Sequence, residues 1–595
     1  MKSVKNRLAD LRSAMANAGC DAFIMPSSDP HSSEYAPAHY TAWEYFSGFS
    51  CENSNLVVTA DEAALWVAGR FFGAADAALK DSSVASMHMG VKGVPTVEEW
   101  IARRLDKNQV LGYCAETMPL GQMRRLKALC ESRGASLQDL PLVDEAWTED
   151  RPQLPSSPAW ILDSSFAGLN LQQKMEIVRG KLAEKNCTAM LATKLDSVAW
   201  LLNLRAMDVD NTPYALAFAY LDQKKTVLFM DGSRLTDKAR KILSANGVEI
   251  RGYSQMPAFL KENKEKQTVL ADPATLNAAL YNALLENPAY EIVECQDPIV
   301  MLKAVKNDVE LHCTRWAHLR DAAAMVRFQM ELEYRLSQGQ KLHETDIDVI
   351  LHKYRSAGEN FLVESFPTIA AYGPNAAMMH YAPRKGADAE ISGRGFLLVD
   401  SGATYYDGTT DITRTYPVGP LTEEEKLAYT RVLRCHIDMA MAVWKEGATG
   451  GELDMLARQP LWHHMLDYRC GTGHSVSHVG AVHEGPHSLR PHNAVVFEPG
   501  MVITDEPGIY DEGNLGIRIE NELVCVEAGE SEYGRYLKFE PLMLVPIATS
   551  CVLVDQLSVE EKEWLNWYHA EVLRKLSPIL NTKEVQWLQE KCAAI

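Results

Sequence analysis

Two stretches of this chain repeat one hydrophobic pattern. Residues 7–27 (RLADLRSAMANAGCDAFIMPS) and 174–194 (KMEIVRGKLAEKNCTAMLATK) each space apolar residues as an amphipathic helix and then run into an apolar strand. Leu11-Arg12 answers to Val178-Arg179, Met15-Ala16 to Leu182-Ala183, and Cys20 and Ala22 to Cys187 and Ala189. The echo continues in Ala64-Leu65-Trp66 before Gly69-Arg70, set against Val227-Leu228-Phe229 before Gly232-Ser233-Arg234. Two copies of one α/β unit account for this, and two are too few for a solenoid. A proline- and serine-rich stretch at 148–158 (TEDRPQLPSSP) and the pair Asp297-Pro298 read as boundaries. They divide the chain into segments 1–157, 158–305 and 306–595. The third opens with helical spacing over 301–333 and then shifts to short strands between Gly-rich turns, an α+β arrangement. Residues 214–221 (YALAFAYL) read as a buried strand, and no apolar run approaches the roughly 18 residues of a membrane span. Near the N-terminus Asp10 and Arg12 interrupt the place where a leader would be apolar.

Within the third segment, carboxylates gather at strand ends. In 395–416 (GFLLVDSGATYYDGTTDITRTY) an apolar strand ends in Asp400, and a second begins at Asp411 after a turn rich in glycine and threonine. If the two strands pair as a hairpin, the two aspartates lie side by side. Residues 501–526 repeat the device with Glu506 before a turn and GIRIENELVCV as the return strand. There Arg518, Glu520 and Glu522 alternate with Ile517, Ile519 and Leu523, so Glu506 and Glu520 can converge on one face. Between the hairpins stands Cys470-Gly471-Thr472-Gly473-His474, whose glycines let an imidazole approach closely. Each piece alone has an ordinary structural explanation, as a turn former, a solvated glutamate or a core histidine. The set of two Asp, one His and two Glu does not. Four carboxylates packed together repel one another unless cations neutralise them. Two divalent ions would do so, with oxygen-rich ligation favouring manganese ahead of cobalt or zinc.

Composition narrows the partners. The 79 acidic and 59 basic residues leave a formal charge of -20, which argues against nucleic acid or an anionic membrane surface as partner. Twelve cysteines, scattered singly without CxxC pairs, point to reduced thiols and a cytoplasmic protein.

The motifs DSGATYYDGTTDITRT, GTGH, DEPG and IRIEN resemble those of the pita-bread metallopeptidases, a family that includes methionine aminopeptidase, prolidase and aminopeptidase P. MPSSDPHSSEYAPAHYTAWEYFSGFS, RPQLPSSP and LDSVAWLLNLR extend the resemblance over the whole chain, to the long, three-domain form of Xaa-Pro aminopeptidase. The resemblance implies two creatinase-like α/β N-terminal domains followed by a pita-bread catalytic domain. It gives the metal-ligand roles to Asp400, Asp411, His474, Glu506 and Glu520, with Asp411 and Glu520 bridging the ions. Glu506 would also shuttle a proton from a bridging hydroxide's parent water to the leaving proline nitrogen. His380 (MMHYAP) and His483 (VHEGP) would hydrogen-bond the substrate near the scissile bond, and Arg518 and Tyr510 would orient ligands and substrate. Cys470 stands where the animal long-form enzymes carry a histidine bordering the proline subsite. Ser475 replaces a glycine of that motif, and Arg70 lies in AGRFF where the family has DSRYF. The implied activity is removal of the residue before proline at a peptide N-terminus, by a homodimer acting on short peptides. A dipeptidase of the prolidase type and a non-catalytic pita-bread binding module are the alternatives. A single N-terminal domain would speak for the first, loss of the ligands for the second.

Overall fold

A computed structural model describes residues 2–379 and 381–595, except for the side chain of Arg70. The chain divides into two compact units. One comprises Met1–Ile161, Asn170–Asp210 and Tyr214–Ile299; the other Leu162–Leu169, Asn211–Pro213 and Val300–Ile595.

The first unit is built from the repeat. Helix α1 (Val4–Ala18) starts where the Ser3 side chain accepts from the Asn6 amide and stops at Gly19, whose φ of 66° is left-handed. Strands β1 (Ala22–Pro26), β2 (Asn55–Thr59), β3 (Ala63–Val67), β4 (Ala85–His88), β5 (Val110–Tyr113) and β6 (Ser136–Asp139) follow. The second copy opens on α2 (Leu171–Glu184), capped reciprocally by Asn170 and Gln173. Its strands are β7 (Ala189–Ala192), β8 (Phe218–Asp222), β9 (Thr226–Phe229), β10 (Val248–Arg251), β11 (Gln267–Ala271) and β12 (Tyr290–Glu294). The sheets run β4-β3-β2-β1-β5-β6 and β10-β9-β8-β7-β11-β12, one order written twice. In each, the strand after the first helix pairs antiparallel on one side (β1 with β2, β7 with β8) and parallel on the other (with β5, β11). The copies join through equivalent segments, with the Leu120 amide donating to Leu276 O and Ala278 returning a bond to Met118 O. The strand expected over 214–221 begins only at Phe218. Ahead of it the Leu216 amide donates to the Asp208 carboxylate (2.7 Å), which takes the backbone out of the ladder.

The second unit opens on α3 (Asp308–Ser337), capped by Asn307 and Glu310. A three-stranded sheet holds β13 (Ile369–Tyr372), β14 (Gly395–Ser401) and β17 (Ile412–Val418), with β14 central. Asp400 faces Thr413 across β14 and β17. The link between these strands is more than a turn, because β15 (Ala403–Tyr405) and β16 (Gly408–Thr409) form an inner hairpin of their own. After α4 (Glu423–Ala440) comes β18 (Val443–Lys445), then α5 (Gly450–Trp462) and β19 (Gly473–Ser475), β20 (Glu484–Leu489) and β21 (Val502–Asp505). The chain continues through β22 (Gly508–Asp511), β23 (Leu515–Arg518), β24 (Asn521–Ser531), β25 (Gly534–Pro541) and α6 (Val559–Leu576). A six-stranded sheet is ordered β18-β25-β24-β21-β19-β20, while β22 and β23 pair separately. The return strand expected as one piece over 516–526 is therefore two, broken at Ile519-Glu520. At the break the Glu520 amide donates to Thr413 O (3.1 Å), which satisfies a group that a continuous ladder would have paired. The core spans Met325, Phe328, Leu397, Val399, Ile517, Ile519, Val545 and Leu565, all fully buried. Among the described residues no helix is long and apolar enough to cross a membrane.

Candidate metal centre

The strand breaks and strand ends of the second unit point acidic side chains at one place. One register runs through both halves of the interrupted hairpin: Asp505 faces Asn521 and Gly508 faces Arg518. Glu506 and Glu520 thus oppose each other at the gap, where neither belongs to a ladder. Gly473 makes the approach of His474 possible, since a Cβ there would sit 1.8 Å from Thr504 O. The Glu506 amide donates to Thr472 O (2.6 Å), tying the glutamate to the same GTGH segment.

Ligand-type atoms of Asp411, His474 and Glu520 lie within 4.8 Å of one another. His474 Nε2 stands 3.4 Å from Asp411 Oδ2 and 3.7 Å from Glu506 Oε1, while its Nδ1 donates to Ser475 O (3.2 Å). That bond commits Nδ1 and leaves Nε2 directed at the carboxylates. Arg518 donates from Nη2 to Asp400, from Nε to the Thr413 hydroxyl (3.0 Å) and from Nη1 to the Tyr510 hydroxyl (2.7 Å). Its Nε is 3.9 Å from Glu506. The Thr413 hydroxyl in turn donates to Glu520 Oε2 (2.6 Å).

The electrostatics are those of a cluster short of positive charge. Burial, with the neighbouring charges of Asp400 and Glu506, pushes Asp411 up to about 6. Glu506 and Glu520 are also raised, burial being the foremost cause. Burial disfavours the His474 cation, yet its hydrogen bond to Asp411 and the charge of Glu506 lift it to about 9. Among the described residues Asp400 Oδ1 and Asp411 Oδ1 are buried without a hydrogen-bond partner. Buried carboxylate oxygens seldom go unsatisfied, and oxygen donors with one imidazole suit divalent ions. The donor set fits such ions.

The chain matches the model of metallopeptidase family M24 over residues 312–527 and that of the C-terminal region of peptidase M24 over 535–595. Models of the creatinase/prolidase N-terminal domain match 7–145 and 150–310. A probable Xaa-Pro aminopeptidase P of Botryotinia fuckeliana is 36% identical over 606 residues, covering 98% of this chain and 92% of the relative. The chain belongs to metallopeptidase family M24. An X-prolyl aminopeptidase of Caenorhabditis elegans, described as a cytosolic enzyme with a di-nuclear active site, superposes with a TM-score of 0.93 at 35% identity, covering all of both chains. An Xaa-Pro dipeptidase of Bacillus anthracis aligns with a TM-score of 0.50 at 25% identity, over 64% of this chain and 99% of that one. This M24 protein is a hydrolase of mixed α and β structure, with two creatinase-type N-terminal domains ahead of the pita-bread domain.

The remaining candidates of the M24 unit sit at different distances from this cluster. His483 is half-buried and meets the His474 ring edge-to-face, with centroids 4.4 Å apart. The next residue, Glu484, is gripped by Lys303 (2.9 Å) and Lys306 (2.7 Å), which fixes the strand carrying His483. Cys470 packs with Cys435, Leu461, Tyr468 and Ile509, and burial pushes its thiol up to about 12. Ser475 is buried in β19. His380 lies outside the described residues. Arg70 belongs to a single helical turn, Gly69–Phe71, of the first unit, and its side chain is not described.

Three supporting residues went unnoticed in the sequence. Arg414, 1% exposed, donates to the carbonyls of Thr413, Glu520, Val545 and Pro546 and so holds both sides of the Glu520 break. Asp321 and Arg355 form a fully buried ion pair beneath the inner hairpin. A buried Arg or Asp leaves no periodic signal, because its partners come from distant parts of the chain.

Proposed function

We propose that the protein is an Xaa-Pro aminopeptidase, hydrolysing the bond between an N-terminal residue and a following proline. The convergence of Asp411, His474 and Glu520 supports this reading most strongly. Asp400, Asp411, His474, Glu506 and Glu520 would hold two divalent ions, manganese being the preferred metal. Such ions would acidify a water and offset negative charge on the substrate carbonyl oxygen. The chain's own groups do the rest. Glu506, its carboxyl raised by burial, takes a proton from the attacking water and hands it to the departing proline nitrogen. His483, beside the His474 ring, and His380 hydrogen-bond the substrate carbonyl and backbone. Arg518 keeps Asp400 and Tyr510 in register, and Cys470 borders the proline ring.

We further propose boundaries at 1–157, 158–305 and 306–595, a homodimer, and a cytoplasmic setting with short peptides as substrates. The dipeptidase alternative is weaker, since the dipeptidase relative spans only 64% of this chain. The test is cleavage of Xaa-Pro-Xaa, Xaa-Ala-Xaa and Xaa-Pro after chelation and return of manganese. Metal-dependent release from the proline tripeptide alone is expected. Cleavage confined to the dipeptide would move the assignment to prolidase, and no cleavage with no metal bound would leave a binding module.

A further inference from the structure

Helix α3 carries a stripe of buried polar residues where a core helix would carry apolar ones. Thr314, His318 and Asp321 are each at most 4% exposed and follow one another at four and three residues, so they share a face. Their neighbours on the helix, Ala317, Met325 and Phe328, are fully buried core residues. Each polar member serves a different segment of the centre. Thr314 meets His478 of the segment between His474 and His483 (3.2 Å), and Asp321 accepts from Tyr405 (2.9 Å) and Thr410 (3.1 Å) in the inner hairpin.

His318 makes the most consequential contact. Its Nδ1 donates to Thr314 O (2.8 Å), one turn back, which fixes the ring and turns Nε2 outward. Nε2 stands 3.1 Å from Glu522 Oε1, an ion pair when the imidazole is protonated, both side chains being fully buried. The same Oε1 accepts the Asp411 amide at 2.6 Å. The backbone of Glu522 is pinned in turn, its carbonyl accepting from the Leu542 amide (2.8 Å). A buried ion pair is weak evidence for stability, because apolar residues of equal volume often serve the fold as well. The Glu522 carboxylate does what no apolar residue can: it supplies the acceptor for the backbone of Asp411, where the chain leaves the inner hairpin and its ladder.

We infer that Glu522, held by His318, is a positioning residue that fixes the backbone of Asp411 so that its carboxylate meets His474 and Glu520. This rests on the reading of Asp411 as a metal ligand. Groups supporting a ligand in this way typically matter by about 10–100-fold in metal affinity or activity. The experiment is calorimetric titration of chelator-stripped protein with manganese, together with kcat and KM on an Xaa-Pro-Xaa peptide. Glu522→Ala should weaken manganese binding by at least about tenfold and lower kcat, with KM changed less than about twofold. Glu522→Gln keeps an acceptor for the Asp411 amide and should recover most of the affinity, whereas Glu522→Met, of similar volume but without an acceptor, should not; recovery by both would mark a purely space-filling role and overturn the inference. Should Glu522→Ala not fold, His318→Leu probes the same link from the helix side and is read in the same way. Manganese binding within about twofold of the wild type in the folded Ala or Leu variant overturns the inference. Asp411→Asn is the control. If it also binds manganese like the wild type, the metal-centre reading fails first, and this inference with it.

Discussion

Replacing Asp321 by alanine should strongly destabilise the M24 unit. Asp321 accepts from Arg355 through both oxygens (Nε at 2.8 Å, Nη2 at 3.0 Å), and both side chains are fully buried. Removing the carboxylate strands a guanidinium where water does not reach and withdraws acceptors from Tyr405 and Thr410. Breaking one side of such a pair costs about 3–5 kcal/mol. For a large domain, where 1 kcal/mol moves the melting temperature by about 2–4 °C, the fall is on the order of 10 °C. Scanning calorimetry on stripped and manganese-loaded protein measures it. The double variant Asp321→Leu/Arg355→Met should recover much of the melting temperature, because an apolar pair of similar volume removes the stranded charge. It should not recover manganese affinity in full, because the Thr410 hydroxyl, one residue before Asp411, loses the Asp321 carboxylate and keeps only its bonds to Ala403. A melting temperature for Asp321→Ala within about 2 °C of the wild type would refute the reasoning.

Other outcomes follow from single contacts. Gly473→Ala puts a Cβ 1.8 Å from Thr504 O, so it should abolish activity by driving β19 from β21; retained manganese affinity in that variant would contradict this. Burial lowers His487 from its ordinary 6.5 to about 4, while its Nε2 donates to Val502 O (2.8 Å). The unfolded chain therefore binds a proton that the folded chain refuses between those values, and stability present above about 6.5 is lost as pH falls toward 4. The full loss is about 3 kcal/mol, roughly 2 kcal/mol of it by pH 5. The urea midpoint should fall less between pH 7 and pH 5 in His487→Gln than in the wild type, and equal falls would count against it. Cys470→Ala should raise KM for a proline tripeptide by about tenfold, the cost of a lost apolar contact, with manganese affinity unchanged. A weakened affinity would place Cys470 in the wrong role.

How much was readable beforehand depended on the kind of signal. The α/β repeat showed because its helix and strand faces are periodic, and Cys20 and Cys187 precede equivalent strands. Asp400, Asp411, His474, Glu506 and Glu520 stood out because each lies beside a glycine-rich turn or a strand end, where local pattern is strongest. Alternation through Arg518, Glu520 and Glu522 placed their side chains on one face but could not show the break at Ile519-Glu520. That break depends on a bond to Thr413, more than a hundred residues away. The inner hairpin of β15 and β16 was hidden in the same way. DSGATYYDGTTD reads as a long turn until Tyr405 and Thr410 find Asp321 on α3. His318, Arg355 and Arg414 carry charges into the core, and hydrophobic patterning has no means of distinguishing them from solvated residues.

The most direct test of the whole account is a titration in which metal bound and peptide cleaved are measured on the same sample. Chelator-stripped protein receives manganese in steps, and release of the first residue from an Xaa-Pro-Xaa peptide is followed at each step. Cleavage should be absent at the start, rise as manganese binds, and level off when two ions are held per chain, with Asp411→Asn failing to reach that level. Full cleavage by exhaustively stripped protein, or saturable binding of two ions without any cleavage, would contradict it.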